Sequence, residues 1–170
     1  MANGDLVKRA EEYARAQHEG QMYGERPYSY HLQQVAEIAE EYAHLLDSDE
    51  DRQTAIAAAW CHDVLEDCNI TYNDFAEALN TKVADVVYRV TNEVGKNRKE
   101  RAFRTYPKIW ECELATYVKL CDRLANIRSS AADSNRLLKA YSKEHTVFKY
   151  ALHSEKYAPI WDEIESVLNS

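Results

Sequence analysis

Glycine and proline are scarce in this sequence, which contains only four glycines and three prolines among 170 residues. These two residues most often end helices and form turns, so few positions can interrupt regular structure. Alanine, glutamate, lysine and leucine, which favour helices, are frequent. Apolar residues recur at helical spacing, and no segment shows the apolar–polar alternation of a half-buried strand. The sequence therefore predicts an all-α fold, a single bundle of many helices.

Apolar periodicity and capping residues predict the helix boundaries. Thr71 resembles the first residue of a capping box, and Asn80 is expected to cap the following helix. We interpret the acidic segment 47–51 as a solvated helix cap rather than a metal site. Pro107 is expected to kink its helix or to begin a new one. The predicted helices cover residues 5–18, 29–46, 71–79, 82–90, 98–111, 114–130, 137–153 and 159–168, with loops at 20–27 and 91–97. A further helix, third in chain order, is predicted to carry an apolar run into residues 62–63.

The overall composition limits the classes to which the chain can belong. Hydrophobic residues make up 45% of the chain, a globular level. No apolar run approaches the ~20 residues that span a bilayer. The net charge of -8 argues against duplex nucleic acid as a partner, although a bound cation could still make a pocket suitable for a small anion. Residues 1–5 lack the features of a secretion signal, so we expect a cytoplasmic protein without membrane partners.

Length and the distribution of motifs predict one domain over residues 1–170. The motif-bearing region covers about 14–130, and helices within 135–170 are expected to pack on it. The chain has four cysteines and no Cys-x-x-Cys pair. We therefore interpret them as small buried apolar residues rather than as disulfides or zinc ligands.

The segment His62-Asp63-Val64-Leu65-Glu66-Asp67 follows an apolar run at 55–61 and concentrates polar chemistry. His62 and Asp63 offer one nitrogen and one oxygen donor, a mixture that suits a hard or borderline divalent cation. On a continuous helix, Glu66 would share their face. Two candidate ligands beside an acid are components of metal-assisted hydrolysis, which needs at least three protein ligands.

Two residues elsewhere could complete such a site. His31 follows a loop that could direct it into a cleft, although a histidine there, taken alone, is more often a helix-end residue bonded to the backbone. Asp122 lies in an otherwise apolar stretch, where a carboxylate is costly to bury unless it is paired or binds a cation. An ordinary ion pair is the alternative for Asp122. The other histidines are expected at the surface or behind the site, at positions 18, 44, 145 and 153.

The combination of His31, His62-Asp63 and Asp122 resembles the HD-domain phosphohydrolase superfamily. Within it, the sequence is most similar to the hydrolase domain of the RelA/SpoT proteins and to the small alarmone hydrolases. A His-Asp pair alone is no signal, whereas the His-Asp-x-x-Glu-Asp block with both flanking motifs is specific. The resemblance covers about residues 14–128 and rests on segments 18–21, 24–31, 62–67, 90–91 and 119–128.

This resemblance implies an HD-type helical fold and a manganese-dependent hydrolase that removes the 3′-pyrophosphate of guanosine tetra- or pentaphosphate. The products would be GDP or GTP and pyrophosphate. The resemblance implies four ligands for one Mn²⁺ ion: His31, His62, Asp63 and Asp122.

The resemblance also implies roles around the metal. Glu66 and Asp67 would orient and deprotonate the attacking water. Asn126 would lie near the nucleotide, and Arg98 would contact its phosphates. The remaining candidates for substrate contact are Tyr23 in the first loop and two residues of the C-terminal region, Tyr141 and Lys143.

One departure from the family leaves the substrate open. Met22-Tyr23 stands where the family usually has a basic pair that contacts the purine base. Tyr23 can stack on a base but cannot supply a cation. A second compatible function is therefore an HD-domain phosphatase acting on another nucleotide. A third is a binding protein, such as an antitoxin that neutralises an alarmone-synthesising toxin; the oligomeric state is open in each case.

Overall fold

The computed structural model describes residues 3–170. The first two residues of the segment 1–5, considered above for a secretion signal, lie outside the described residues. Its helices follow the predicted order, and the predicted all-α fold is confirmed. The helices are α1 (Asn3–Gln17), α2 (Tyr28–Glu41), α3 (Asp49–Cys61), α4 (Val64–Asp67), α5 (Tyr72–Ala78), α6 (Thr81–Val90), α7 (Arg98–Trp110), α8 (Glu113–Ala132), α9 (Leu137–Leu152) and α10 (Ala158–Leu168). Turns of 3₁₀ helix lie at Ala43–Leu45 and Glu155–Tyr157.

Side-chain caps explain why several helices begin where the sequence predicts. The side chains of Ser48, Thr71 and Asn80 each accept a hydrogen bond from the amide three residues on, at 3.0, 3.2 and 2.8 Å respectively. Each bond satisfies one of the amides that the first helical turn leaves free. The acidic segment at 47–51 is thus the start of α3, with its acids in the first turn, as predicted.

The loop predicted at 20–27 contains a small hairpin that the sequence analysis did not predict. Strands β1 (Met22–Tyr23) and β2 (Arg26–Pro27) pair antiparallel around a turn in which Gly24 has a φ of 60°. Two residues per strand are too few for an alternating pattern to be visible. The hairpin packs on α2 and brings Tyr23 over the start of that helix.

Helix α2 is shorter than predicted, because the chain tightens into a 3₁₀ turn after Tyr42. Arg52 on α3 donates hydrogen bonds to the carbonyls of Ala43 and Leu46, at 3.2 and 2.9 Å. These bonds satisfy carbonyl groups that a continuing helix would have used. Pro107, in contrast, neither ends α7 nor begins a new helix.

Helix α8 is the centre of the bundle and packs against α2, α3, α6, α7, α9 and α10. Buried residues occupy every side of it, including Tyr117, Leu120 and Leu124. A helix that is buried on every side is one that other helices surround. No helix within residues 3–170 combines the length and apolar character needed to cross a membrane.

Helix α3 is the second buried helix and ends in the apolar run at 55–61. The three alanines at 57–59 have no exposed surface, so α1, α2 and α8 approach this helix closely. The cysteines bear out the expected lack of disulfides, since all four are free. Cys61 and Cys121 are buried, whereas Cys68 and Cys112 are only half-buried.

Replacing Leu120 by alanine should lower the free energy of unfolding by about 2–5 kcal/mol, because Leu120 is fully buried in the central helix. Urea unfolding followed by circular dichroism measures this change. Val147→Ala is the control, since Val147 on α9 is 60% exposed and should change stability little. Similar losses for the two variants would contradict a central position for α8.

Candidate metal centre and active site

Three parts of the fold bring the four predicted metal ligands together. His31 lies in the first turn of α2, His62 and Asp63 lie between α3 and α4, and Asp122 lies within α8. Nε2 of His31 is 3.2 Å from Oδ1 of Asp122. Nε2 of His62 is 2.9 Å from Oδ2 of Asp63 and 3.5 Å from Oδ1 of Asp122. One donor atom from each of His31, His62 and Asp63 lies within 4.8 Å of the others.

A break between α3 and α4 orients two of these residues. His62 retains helical dihedral angles, but Asp63 has φ −103° and ψ 0°, which ends α3 and starts a new turn. The continuous helix expected through Glu66 is therefore interrupted. Glu66 lies on the separate turn α4, and its position relative to His62 does not follow from helical spacing alone.

The tautomer of His62 is fixed by the backbone. Nδ1 lies 2.8 Å from the carbonyl oxygen of Ala59, and because a carbonyl can only accept, Nδ1 must carry a proton. Nε2 therefore carries the lone pair that can bind a metal ion. It faces the oxygens of Asp63 and Asp122 without a hydrogen bond of suitable geometry. A lone pair aimed at two carboxylates is stable only with positive charge between them, supplied by a proton or by a metal ion.

The electrostatics of the cluster favour a cation at this point. Burial opposes the charged form of His62, but the carboxylates of Asp63 and Asp122 outweigh it and raise its pKa well above the usual range. Burial likewise opposes charge on Asp122, yet Lys119 and the two histidines hold the pKa of Asp122 well below its usual range. Two imidazoles and two ionised carboxylates in a buried cluster form a donor set that fits a divalent cation.

Neighbours on α8 orient the carboxylate of Asp122. Lys119 donates to Oδ2 at 2.9 Å, and the side-chain amide of Asn126 donates to Oδ1 at 2.8 Å. Lys119 and Asn126 lie one turn before and one turn after Asp122, so the helix itself sets these contacts. Asn126, predicted to lie near the nucleotide, thus orients one of the predicted metal ligands.

Tyr28 supports the other carboxylate. Its hydroxyl donates to Oδ2 of Asp63 at 2.5 Å. The Tyr28 ring stacks on the ring of His18, with centroids 5.0 Å apart, and meets His31 edge-on at 5.7 Å. His18 was expected at the surface or behind the site. It is buried and lies behind the site.

Tyr23 closes the side of the cluster toward the hairpin. Its ring stacks on the ring of His31, with centroids 4.7 Å apart and planes 6° apart. Its hydroxyl donates to Oδ1 of Asn126 at 2.8 Å. Burial, followed by the nearby Tyr141, raises the pKa of Tyr23 to about 12, so the hydroxyl stays a donor.

The two predicted catalytic acids are both exposed on α4 and differ in their partners. Glu66 accepts a hydrogen bond from the backbone amide of Asn92 at 2.8 Å, which ties it to the loop after α6. Partial burial of the carboxyl group, followed by the carboxylates of Asp63 and Glu66, raises the pKa of Asp67. Asp67 is therefore a stronger base than an ordinary aspartate.

The remaining predicted substrate residues lie on α7 and α9. Arg98 and Tyr141 belong to one cluster, with the guanidinium carbon 5.4 Å from the ring centroid. Arg98 also forms an ion pair with Glu144. Lys143 is exposed and lies two positions after Tyr141, on the opposite side of α9.

Sequence reasoning missed three residues that contact the predicted ones. Lys119 had a usable signal, because it stands three positions before Asp122 on a helix. Tyr28 stands in a segment on which the resemblance rests, but nothing in the sequence assigned it to Asp63. Glu144 had no such signal, since its two arginine partners lie far from it in the chain.

Comparisons with known proteins identify the family and the fold. A family model described as an HD domain matches residues 10–150. Among solved structures, the fold is similar to that of a metazoan ortholog of SpoT, described as hydrolysing ppGpp and playing a role in starvation responses. The sequences are 21% identical, the TM-score is 0.79, and the similarity covers 96% of this chain and 94% of that chain. At this identity the structural likeness establishes a shared fold.

Replacing Tyr28 by phenylalanine should weaken Mn²⁺ binding by about tenfold, because groups that orient metal ligands typically contribute 10–100-fold to affinity. Isothermal titration calorimetry of the metal-free protein measures this change. Tyr72→Phe is a matched control, since Tyr72 also donates to a carboxylate, that of Asp85, but at the surface. Equal Mn²⁺ affinities in both variants would contradict a role of Tyr28 in orienting Asp63.

Proposed function

Since this chain belongs to the HD domain family, we propose that it is a metal-dependent phosphohydrolase that removes the 3′-pyrophosphate of guanosine tetra- or pentaphosphate. The observation that carries this proposal is the convergence of two buried imidazoles with the buried carboxylate of Asp122 and the half-buried carboxylate of Asp63, with Nε2 of His62 aimed at both carboxylates. The similar fold of a protein described as hydrolysing ppGpp supports the choice of substrate. Such a nucleotide would meet the enzyme in the cytosol.

In this proposal one Mn²⁺ ion is held by the four converging residues: His31, His62, Asp63 and Asp122. Mn²⁺ accepts carboxylate oxygens readily and imidazole nitrogens as well, which matches this mixed set. When bound, the ion would lower the pKa of a water molecule and stabilise negative charge on the phosphate. The hydrogen bonds from Tyr28 and Lys119 would keep the carboxylates oriented throughout.

The acids on α4 would handle the water and its proton. Asp67 is suited to accept the proton, because its raised pKa makes the carboxylate a stronger base than an ordinary aspartate. Glu66, fixed by the amide of Asn92, would hold the water in line. The water oxygen would attack the nearer phosphorus of the 3′-diphosphate. The bond from that phosphorus to the ribose 3′ oxygen would break, and a proton would pass to the released oxygen.

The nucleotide would lie between the hairpin and α9. Tyr23 and Asn126 are linked by a hydrogen bond at the edge of the metal cluster, where a base or ribose could contact them. Tyr141 lies close enough to Tyr23 to affect its pKa. Arg98 would contact the phosphates of the nucleotide from α7.

A second candidate is an HD-domain phosphatase that acts on a different nucleotide. The observation that favours it is the environment of Tyr23, whose hydroxyl is bonded to Asn126 and whose ring is stacked on His31. Neither contact supplies the cation that the family's usual basic pair offers to a purine base. The two candidates differ in product, since a phosphatase would release orthophosphate rather than pyrophosphate.

Incubation of the purified protein with Mn²⁺ and guanosine tetraphosphate should give GDP and pyrophosphate in equal amounts. Ion-exchange chromatography of the nucleotides and an enzymatic pyrophosphate assay measure the two products. Release of orthophosphate from a panel of other nucleotides, with guanosine tetraphosphate intact, would favour the second candidate.

Asp63→Asn should reduce kcat at least about a hundredfold, because the stabilisation that a metal ion gives a transition state is worth several kcal/mol. Asp85→Asn is the control for the same chemical change, since Asp85 is exposed on α6 and bonded to Tyr72. Turnover that survives in Asp63→Asn would contradict a metal-dependent reaction at this cluster.

A further inference from the structure

Glu144 on α9 joins two arginines that come from different helices. Its Oε1 accepts from Nε of Arg98 at 2.5 Å, and its Oε2 accepts from a terminal nitrogen of Arg98 at 3.2 Å. The same Oε2 accepts from a terminal nitrogen of Arg123 at 2.9 Å. One carboxylate therefore satisfies two guanidinium groups, and the cluster keeps a net positive charge.

The two arginines are held very differently. The Arg123 side chain is 8% exposed and lies between the rings of Tyr141 and Phe148, at 4.9 and 4.2 Å. The Arg98 side chain is 54% exposed and meets only one ring, that of Tyr141. A buried guanidinium cannot lose its counter-charge cheaply, whereas an exposed one can exchange one anion for another.

The cluster adjoins the proposed metal centre. Arg123 directly follows Asp122 on α8. Arg98 shares both the Glu144 carboxylate and the Tyr141 ring with Arg123, so it belongs to the same cluster. An anionic group of a bound nucleotide could therefore contact Arg98 while the reacting phosphate lies at the metal.

We infer that the Glu144 carboxylate occupies the place of a phosphate group, and that binding of a phosphorylated ligand exchanges this carboxylate for phosphate on Arg98. Guanidinium groups bind carboxylate and phosphate through the same forked pattern of donors, which makes the two anions interchangeable partners. Glu144 would stay paired with buried Arg123 during the exchange. As applied to a nucleotide substrate, this inference rests on the proposed function. It makes Glu144 a residue that limits the affinity of the protein for phosphorylated ligands.

Removing the negative charge of Glu144 should therefore strengthen phosphate binding. The ion pair that competes with phosphate is Arg98–Glu144, and it is exposed at Arg98. An exposed ion pair changes an equilibrium constant by about fivefold at most. Glu144→Gln should lower the Kd of inorganic pyrophosphate about three- to fivefold, measured by calorimetry on the metal-free protein in EDTA. With guanosine tetraphosphate as substrate, KM should fall by a similar factor while kcat stays unchanged.

Two further variants isolate the exchange. Glu111→Gln makes the same charge change at an exposed pair with Arg89, and it should leave the affinity for pyrophosphate unchanged. Adding Arg98→Gln to Glu144→Gln should abolish the gain, because the gain acts through Arg98. If melting shows that Glu144→Gln is unfolded, Glu144→Asp keeps a charge for Arg123 but shortens the side chain. That variant should also gain affinity.

The outcomes separate this inference from the proposed function. Unchanged or weaker pyrophosphate binding in a folded Glu144 variant overturns the inference, because Glu144 would then only position Arg98 or stabilise the fold. A gain that persists without Arg98 overturns it as well. Tighter pyrophosphate binding with intact guanosine tetraphosphate supports the inference and rejects the proposed substrate.

Discussion

The structure depends on one carboxylate held in the most buried helix. Asp122 lies in α8, which other helices surround, and its charge must be balanced where water has little access. Lys119 and Asn126 supply part of this balance from the same helix, and His31 and His62 supply the rest from α2 and the end of α3. Three segments that are distant in the chain therefore meet at one point, where they balance the charge of this single carboxylate.

Helix α8 also couples the metal cluster to the arginines. Asp122 and Arg123 are successive residues about 100° apart around the helix, so one faces the histidines and the other faces α9. One rigid helix thus joins the proposed metal ligand Asp122 to Arg123, the buried arginine of the cluster. Only Arg98, on the exposed side of the cluster, needs to change partner when a ligand binds.

The sequence predicted what depends on local rules. Thr71, Asn80 and the acidic segment 47–51 marked helix starts, and the cost of burying Asp122 pointed to a partner or a cation. The hairpin was missed because its strands are too short to show a period. The contacts of Tyr28 and Glu144 were missed for a different reason: they join side chains on separate helices, and such pairs are set by packing rather than by spacing.

We propose that His31, His62, Asp63 and Asp122 together hold one divalent metal ion. Anomalous diffraction at the manganese edge, from crystals grown with Mn²⁺, locates such an ion. One anomalous peak is expected, bounded by Nε2 of both histidines and by a carboxylate oxygen of each aspartate. A peak elsewhere, or none at this point in crystals that contain Mn²⁺, would contradict it.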